Sequence, residues 1–249
     1  MGKTFEVLEK EDQKRKSDIA KKLAAETKIP LEAGISLPRE VPSQLHEANL
    51  QLKKKILSAP YRETKSIVFS SAKHGEGTST ISSYFALSLS KEDDSRILII
   101  DANLRNPVLH RVFGVQAGKG LAELLTDDID LHSVIQQTSF RNLLVMPSGK
   151  CTQNPAHKFE NERLKGLIHE LKMEFDFLIF DSAPILPYSD TSVLAPKLDG
   201  VILIVKAEET RWEVAQKAKE ELEKSGAHIL GAILNQRQYH IPEFIYRRL

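Results

Sequence analysis

The sequence of 249 residues is poor in cysteine, in aromatic residues and in net charge. Its single cysteine, Cys151, excludes an internal disulfide and a cysteine-based metal cluster. The 35 Lys and Arg residues nearly balance 34 Asp and Glu, which argues against a dedicated nucleic-acid-binding protein. No apolar run approaches the roughly 18 residues that a membrane span requires, and the first residues lack the apolar core of a signal peptide. We therefore expect a soluble, cytoplasmic protein.

The first 42 residues differ in composition from the rest of the chain. Charged residues crowd this stretch, large apolar residues are few, and several prolines interrupt any regular element. We predict a charged, flexible arm at residues 1–42, followed by one domain at residues 43–249 that includes a short C-terminal tail. Apolar side chains at three- and four-residue steps predict a helix over residues 43–57.

Short, continuous apolar runs alternate with amphipathic stretches from residue 66 onward. The runs are Ile67–Phe69, Ile97–Ile100, Leu143–Met146, Phe177–Phe180, Val201–Val205 and Ile229–Leu234. The helical stretches between them are Ser79–Lys91, Leu121–Leu125, Leu131–Gln137, Asn161–Met173 and Glu213–Lys224. Continuous runs are typical of strands buried on both faces of a parallel sheet. The pattern predicts a doubly wound α/β domain with a mostly parallel sheet and helices on both faces.

A glycine-rich segment lies between the first predicted strand and the first predicted helix of this domain. It reads Ser70-Ser71-Ala72-Lys73-His74-Gly75-Glu76-Gly77-Thr78-Ser79-Thr80. Such a turn directs backbone N–H groups at an anion, and Gly75 and Gly77 permit the close approach of a phosphate. Ser79 occupies the position from which a hydroxyl reaches a magnesium ion. A glycine-rich cap without a ligand is the alternative, but the place of the segment favours a phosphate loop.

The segment departs from the usual phosphate-loop pattern G-x-x-x-x-G-K-[ST]. Thr78 stands in the lysine position and Ala72 in the position of the first glycine. Loss of a charge-assisted hydrogen bond costs about 1.5–3 kcal/mol. Lys73 lies five residues earlier, in the position of the second lysine of the Min/Par-type partition ATPases. Two interpretations stay equally open: Lys73 replaces the missing charge as a catalytic residue, or it is an exposed loop lysine.

Two further strands end in an aspartate. Asp101 follows the run Ile97–Ile100, and Asp181 follows Phe177–Phe180. Because parallel strands end at the same edge of a sheet, both carboxylates are expected beside the phosphate loop. An aspartate at this position also caps helices, but a hydroxyl at Ser79 with two carboxylates favours a magnesium site.

These motifs resemble those of the bacterial tyrosine autokinases of capsule and exopolysaccharide synthesis, a P-loop NTPase family related to the Min/Par proteins. That family carries P-G-E-G-K-S-T, then D-x-D-x-R-x-P, then D-x-x-P. The matching segments here are Gly75-Glu76-Gly77-Thr78-Ser79-Thr80, Asp101-Ala102-Asn103-Leu104-Arg105-Asn106-Pro107 and Asp181-Ser182-Ala183-Pro184. The resemblance covers roughly residues 45–249, with the motifs in the family order.

The resemblance implies roles for the residues that match the motifs. Gly75, Glu76, Gly77, Thr78, Ser79 and Thr80 would bind the phosphates of ATP or ADP. Ser79 and Asp181, together with Asp101, would hold Mg²⁺. Asp101 would also be the catalytic acidic residue, and Asn235 would contact adenine. The protein would then transfer the γ-phosphate of ATP to tyrosine and regulate polysaccharide chain length or export.

The sequence also departs from the family pattern. Thr78 replaces the lysine, Asn103 the second aspartate of its motif, and His74 the usual proline. The oligomer-forming E-x-x-R-x-x-R helix of the family is kept only in part, at Glu47, Leu50 and Lys53. The C-terminal tyrosine cluster, which is the phosphorylation target, is reduced to Tyr239 and Tyr246.

The resemblance further implies a partner: a membrane chain-length-determinant protein, or polysaccharide co-polymerase, that holds the chain at the inner face of the membrane. A homo-oligomer fits the same resemblance. The departures leave open a catalytically impaired regulatory subunit of the same system. A third function, a Min/Par-type positioning ATPase, is favoured only by Lys73 and disfavoured by Thr78, because those proteins normally carry both lysines. Outside the motifs, we expect Trp212 to be a packing residue.

Overall fold

The computed structural model describes residue 41 and residues 43–57, 64–92, 95–151 and 154–236. The predicted arm, apart from residue 41, and the tail with Tyr239 and Tyr246 lie outside these ranges. The arm boundary therefore stays a prediction. Val41 is buried in the hydrophobic core of the domain.

Seven strands form one sheet within the described residues. They are β1 (Ser66–Ser71), β2 (Ile97–Asp101), β3 (Gln136–Gln137), β4 (Leu143–Met146), β5 (Phe177–Asp181), β6 (Gly200–Lys206) and β7 (Ile229–Asn235). Their order across the sheet is β3-β4-β2-β5-β1-β6-β7. Only β3 is antiparallel to its neighbour; the other pairs are parallel. The predicted mostly parallel α/β sheet is confirmed.

Eight α-helices lie in the described part of the chain. They are α1 (Ser43–Leu57), α2 (Thr78–Ser90), α3 (Leu109–Phe113), α4 (Leu121–Leu124), α5 (Pro155–Glu160), α6 (Arg163–Glu174), α7 (Asp190–Leu194) and α8 (Trp212–Lys224). Leu131–Ser133 and Ala195–Lys197 are single 3₁₀ turns. Among these residues no helix combines the length and the apolar character needed to cross a membrane.

Two hydrophobic cores lie on opposite faces of the sheet. Alternate strand residues enter different cores: Val68 packs into one, and its neighbours Ile67 and Phe69 pack into the other. The strand side chains that face each core are fully buried, which explains why each interior strand appears in the sequence as a continuous apolar run. Because β1, β2 and β5 run parallel to one another, the loops that follow them lie at the same carboxyl edge of the sheet.

Helix α1 packs against α2 through a polar contact. The Asn49 amide donates to the Tyr84 carbonyl at 3.2 Å and to Ser88 Oγ at 2.8 Å. The ammonium group of Lys53 lies 5.6 Å from the centre of the Phe177 ring. The predicted helix over residues 43–57 is therefore confirmed and is attached to the domain.

Two predicted helices differ in the structure. The helix predicted over Leu131–Gln137 is wrong, because Asp130 caps a single 3₁₀ turn by accepting from Ser133 N at 2.9 Å. The chain then continues as the short strand β3. The stretch predicted at Asn161–Met173 is α6, preceded by a separate helix, α5, that begins at Pro155.

Candidate nucleotide and magnesium site

The glycine-rich loop connects β1 to the first residue of α2. Gly75 has φ 81° and Gly77 has φ 88°, conformations that side-chain-bearing residues rarely adopt. Gly77 precedes the first helical residue, and among the described residues no side chain caps this end of α2. The first N–H groups of the helix are therefore left for an anion, as at other phosphate-binding helix starts.

The buried carboxylate of Glu76 holds the glycine-rich loop in place. Its side chain is 2% exposed, so its carboxylate faces the protein and not the ligand side. One oxygen accepts from Lys73 N at 2.8 Å, and the other accepts from Thr210 Oγ1 and from Lys206 N. Glu76 thus ties the loop to the end of β6. Only the backbone of Glu76 is therefore available to contact a nucleotide.

Asn235, at the end of β7, holds the same loop. Its amide nitrogen donates to the Glu76 carbonyl at 2.9 Å, and its Oδ1 accepts from Gln236 N at 2.9 Å. A Cβ placed on Gly77 would lie 2.3 Å from Asn235 Nδ2. The residue for which the resemblance implies adenine contact is therefore in direct contact with the phosphate loop.

Asp101 and Asp181 lie at paired register positions at the ends of β2 and β5. Both are fully buried. Asp101 is held by backbone amides: Oδ1 accepts from Asn103 N at 3.3 Å, and Oδ2 accepts from Val108 N and Leu109 N at 2.9 Å each. The sequence prediction that these two carboxylates meet at one edge is borne out by the register.

Asp181 has unused hydrogen-bonding capacity. Ser82 Oγ donates to its Oδ1 at 3.2 Å, whereas its buried Oδ2 has no hydrogen-bond partner within the described residues. Burial raises the pKa of Asp181, and the hydroxyls of Ser79 and Ser82 beside the carboxylate offset only part of that rise. The two Ser hydroxyls and Asp181 therefore form one polar cluster under the loop.

Burial raises the pKa of both carboxyl groups. It raises the pKa of Asp101 from 3.8 to about 8, with a further contribution from the charge of Asp181. It also raises the pKa of Asp181 from 3.8 to about 7. A buried pair of like charges is costly without a cation, so the site is electrostatically suited to a divalent metal ion.

The donor set fits Mg²⁺. The described residues contain no cluster of three or more His, Cys, Asp or Glu side chains suited to a metal. Mg²⁺ does not need one, because it is commonly bound by one or two carboxylates together with substrate phosphates and water. The unpartnered Oδ2 of Asp181 and the adjacent Ser79 are the groups of this chain that would hold it.

Asn103 does not add a ligand to this cluster in the structure. Its Oδ1 accepts from Asn106 N at 3.2 Å and closes a turn after β2. This residue stands where the family motif has its second aspartate. Its side chain here shapes the backbone.

The positively charged side chains near the loop, Lys73 and Arg105, differ in the contacts that they make. Thr78 is buried at the first position of α2, whereas the Lys73 side chain is exposed. Arg105 donates to both oxygens of the buried Asp190, at 2.6 and 2.9 Å. Its guanidinium also lies 4.1 Å from the centre of the Tyr188 ring. Lys73 is therefore better placed than Arg105 to turn toward a phosphate.

Sequence reasoning missed the side chains that support the loops. Asp190 opens the short helix α7, and the sequence gives no apolar period strong enough to predict so short an element. Tyr188 contacts His74 of the loop edge-on, with ring centres 5.5 Å apart. Thr210 lies in the turn after β6, and no motif pointed to it.

Comparison with known proteins agrees with this geometry. Residues 64–224 match the model of the AAA domain family AAA_31. The tyrosine-protein kinase CpsD of Streptococcus agalactiae is 36% identical over 176 residues, which cover 70% of this chain and 76% of CpsD.

Solved structures show the same fold. The chimerical protein CapA2B2 has a TM-score of 0.74 at 25% identity, covering 88% of this chain and 100% of that protein. The septum site-determining protein MinD of Pyrococcus horikoshii OT3, solved with Mg-ADP, has a TM-score of 0.59 at 25% identity and covers 74% of this chain and 76% of MinD. The order of the sheet, the loop and the sequence identity to CpsD lead to one conclusion: the chain belongs to the bacterial tyrosine-protein kinase family of P-loop proteins.

Proposed function

We propose that this protein binds ATP with Mg²⁺ at the Gly75–Thr80 loop and transfers the γ-phosphate to tyrosine in an exopolysaccharide or capsule system. The observation that carries the proposal is the unpartnered, buried Oδ2 of Asp181 beside a glycine loop at the start of α2. Its relative CpsD is named a tyrosine-protein kinase. We place the protein in the cytoplasm, beside a membrane co-polymerase that binds it.

Different residues bind the nucleotide and assist the transfer of its γ-phosphate. The first backbone amides of α2, with the hydroxyls of Ser79 and Thr80, bind the phosphates. Asp181 and Ser79 hold Mg²⁺, which neutralises charge on the phosphate oxygens when it is bound. Asp101 accepts the proton of the tyrosine hydroxyl as that oxygen attacks the γ-phosphorus. The bond from the γ-phosphorus to the bridging oxygen breaks, and ADP leaves.

Lys73 supplies the charge that Thr78 does not. It lies at the start of the same loop, its backbone N–H is fixed by Glu76, and its side chain is exposed on the ligand edge. Because the backbone is fixed and the side chain is exposed, the ammonium group can turn toward the β- and γ-phosphates. Asn235 bounds the opposite side of the loop, where the adenine is expected.

A second candidate function is favoured by Thr78 itself. A buried threonine at the lysine position removes the point charge that this loop normally places against the transferring phosphate. The protein would then be a nucleotide-binding regulatory subunit that contacts the same membrane partner and transfers no phosphate.

Phosphotyrosine content separates the two functions. The kinase proposal predicts a signal with an anti-phosphotyrosine antibody after incubation of the purified protein with Mg-ATP, and its loss in Asp101→Asn. Asp128→Asn, at an exposed carboxylate outside the three motifs, is the matched control and should keep the signal.

A regulatory subunit gives a different result. It binds ADP but shows no phosphotyrosine in the wild type, and Thr78→Lys is the variant that restores the family lysine. Absence of signal in the wild type would contradict the kinase proposal, and a signal gained only in Thr78→Lys would support the regulatory subunit. ATP-dependent dimers that Lys73→Ala abolishes would instead favour a Min/Par-type positioning ATPase.

A further inference from the structure

Three planar side chains form one run of contacts at the carboxyl edge of the sheet. The imidazole of His74 and the ring of Tyr188 meet edge-on, with ring centres 5.5 Å apart. The guanidinium of Arg105 lies 4.1 Å from the centre of the same tyrosine ring. We call His74, Tyr188 and Arg105 together the aromatic–arginine ledge.

The ledge joins the three loops that carry the candidate site. His74 belongs to the glycine-rich loop that follows β1. Arg105 lies in the loop that follows Asp101 of β2, and Tyr188 lies in the loop that follows Asp181 of β5. The ledge therefore borders the phosphate loop and the two loops that begin at the buried carboxylates.

Arg105 anchors the ledge to two helices. Its guanidinium donates to both oxygens of the buried Asp190, at 2.6 and 2.9 Å, and to Asn154 Oδ1 at 3.0 Å. Asp190 is the first residue of α7, and Asn154 caps α5. Because a bidentate pair of this kind fixes the plane of the guanidinium, it also holds the ring of Tyr188 that packs against that plane.

The ledge keeps part of its surface open to solvent. His74 is exposed, Tyr188 is half-buried, and the side chain of Arg105 is 28% exposed. Aromatic rings pack favourably against other aromatic rings, and a guanidinium packs favourably against an aromatic face. The chemistry of the ledge is therefore suited to a ligand that presents an aromatic ring.

The order of the strands separates the ledge from the expected place of the adenine. On one side of β1 lie β5 and then β2, and on the other side lie β6 and then β7. Asn235, for which adenine contact is expected, ends β7, whereas Tyr188 and Arg105 follow β5 and β2. Asp101, the proposed proton acceptor, also ends β2. The ledge therefore lies on the side of the loop where the hydroxyl of the acceptor meets Asp101.

We propose that the aromatic–arginine ledge binds the ring of the acceptor tyrosine, an inference that rests on the proposed kinase function. His74 and Tyr188 pack against the phenol ring while its oxygen forms the new bond to the γ-phosphorus. The phenol proton passes to Asp101, the bond from the γ-phosphorus to the bridging oxygen breaks, and its electron pair leaves with ADP. Serine and threonine have no ring to pack against the ledge, so the same contact selects tyrosine.

The KM of an acceptor peptide tests the ledge separately from the nucleotide. The probe is a synthetic peptide of residues 237–249, which contains two tyrosines, phosphorylated by the full chain with Mg-ATP. His74→Ala and Tyr188→Ala are each expected to raise the KM of the peptide about fivefold, while the KM of Mg-ATP stays within about twofold of the wild type. Tyr188→Phe keeps the ring and should restore the low peptide KM. Trp212→Ala removes a highly exposed aromatic side chain that follows β6; it is the matched control and should change neither KM.

Three results would overturn the ledge and leave the kinase proposal intact. An unchanged peptide KM in either alanine variant would show that the ledge does not hold the acceptor ring. An equal rise in the KM of Mg-ATP would show that these rings act on the nucleotide, and phosphotyrosine in the protein without transfer to the peptide would show that a tyrosine ring is not recognised. Absence of phosphotyrosine from both protein and peptide would instead contradict the proposed function, and the ledge with it. Circular dichroism of each variant verifies that the domain is folded.

Discussion

Gly77 and Asn235 are in contact across the site: the space that a Cβ on Gly77 would take lies 2.3 Å from Asn235 Nδ2. That nitrogen donates to the Glu76 carbonyl, so the end of β7 holds the phosphate loop in place. The loop is held on its other side by the carboxylate of Glu76, through Lys73 N and Thr210. The loop is therefore shaped by β6 and β7, elements more than a hundred residues away in sequence.

Gly77→Ala should cost more stability than Gly75→Ala, although both glycines have positive φ. A left-handed conformation costs a non-glycine residue about 1–2 kcal/mol. At Gly77 the methyl group also displaces Asn235 and its hydrogen bond, so we expect about 2–3 kcal/mol in total. At Gly75 there is open space, and about 1 kcal/mol is expected.

Denaturant unfolding measures both losses. Gly118→Ala is the control, because a Cβ there meets open space in an exposed loop, and it should stay within about 0.5 kcal/mol of the wild type. Equal losses at Gly75 and Gly77 would show that the Asn235 contact does not hold the loop.

Asp181→Asn should stabilise the metal-free protein at alkaline pH. The folded-state pKa values of Asp101 and Asp181, about 8 and about 7, lie above the value of 3.8 that applies to the unfolded chain. The folded protein therefore binds more protons between these values, and the free energy of unfolding falls as the pH rises from about 4 to about 8. Removing one charge of the pair should raise that free energy by about 1–2 kcal/mol at about pH 8, with little change at about pH 5.

Thermal unfolding as a function of pH and of Mg²⁺ tests this prediction. Mg²⁺ should raise the midpoint temperature of the wild type and have no effect on Asp181→Asn, since the unpartnered Oδ2 is the proposed ligand. Asp128→Asn should follow the wild type throughout. A variant that is less stable than the wild type at alkaline pH would contradict the assignment of the buried charge pair.

Arg105→Ala should destabilise the fold through Asp190. The Asp190 side chain is 1% exposed, and Arg105 donates to both of its oxygens. Loss of the arginine leaves a buried carboxylate without its countercharge, and we expect about 2–3 kcal/mol, reduced because Arg105 itself is partly exposed. The same measurement on Lys165→Ala, which breaks the exposed ion pair with Glu162, should show no change.

The double variant Arg105→Ala/Asp190→Asn distinguishes the mechanism. If the cost arises from the unpaired carboxylate, the neutral amide recovers part of the lost stability. A double variant as unstable as the sum of the single variants would show that the ion pair is not the cause.

The sheet, the loop and the two acidic strand ends were predictable because each follows from a local sequence pattern. Continuous apolar runs such as Phe177–Phe180 define interior strands, and parallel strands bring Asp101 and Asp181 to one edge. The role of Glu76 was not predictable in this way. Its partners Lys206 and Thr210 lie 130 and 134 residues away, and a glutamate within a glycine loop gives no sign that it points inward.

Short elements and surface exposure were the other failures. Leu131–Gln137 has helical spacing, but Asp130 caps the start of a single 3₁₀ turn that ends at Ser133, and Gln136 and Gln137 then pair with β4. Trp212 was expected to be a packing residue, but its side chain is 75% exposed. It begins α8 on the outer face, and nothing in the spacing of that helix reveals this.

Calorimetric titration of the wild type and of Lys73→Ala with Mg-ATP and Mg-ADP tests the central claim most directly. The account predicts binding by the wild type and a loss of about ten- to hundred-fold in affinity in Lys73→Ala, because a charge-assisted contact to phosphate disappears. Lys91→Ala, at the opposite end of α2, should bind as the wild type does. No binding of either nucleotide by the wild type would contradict the account.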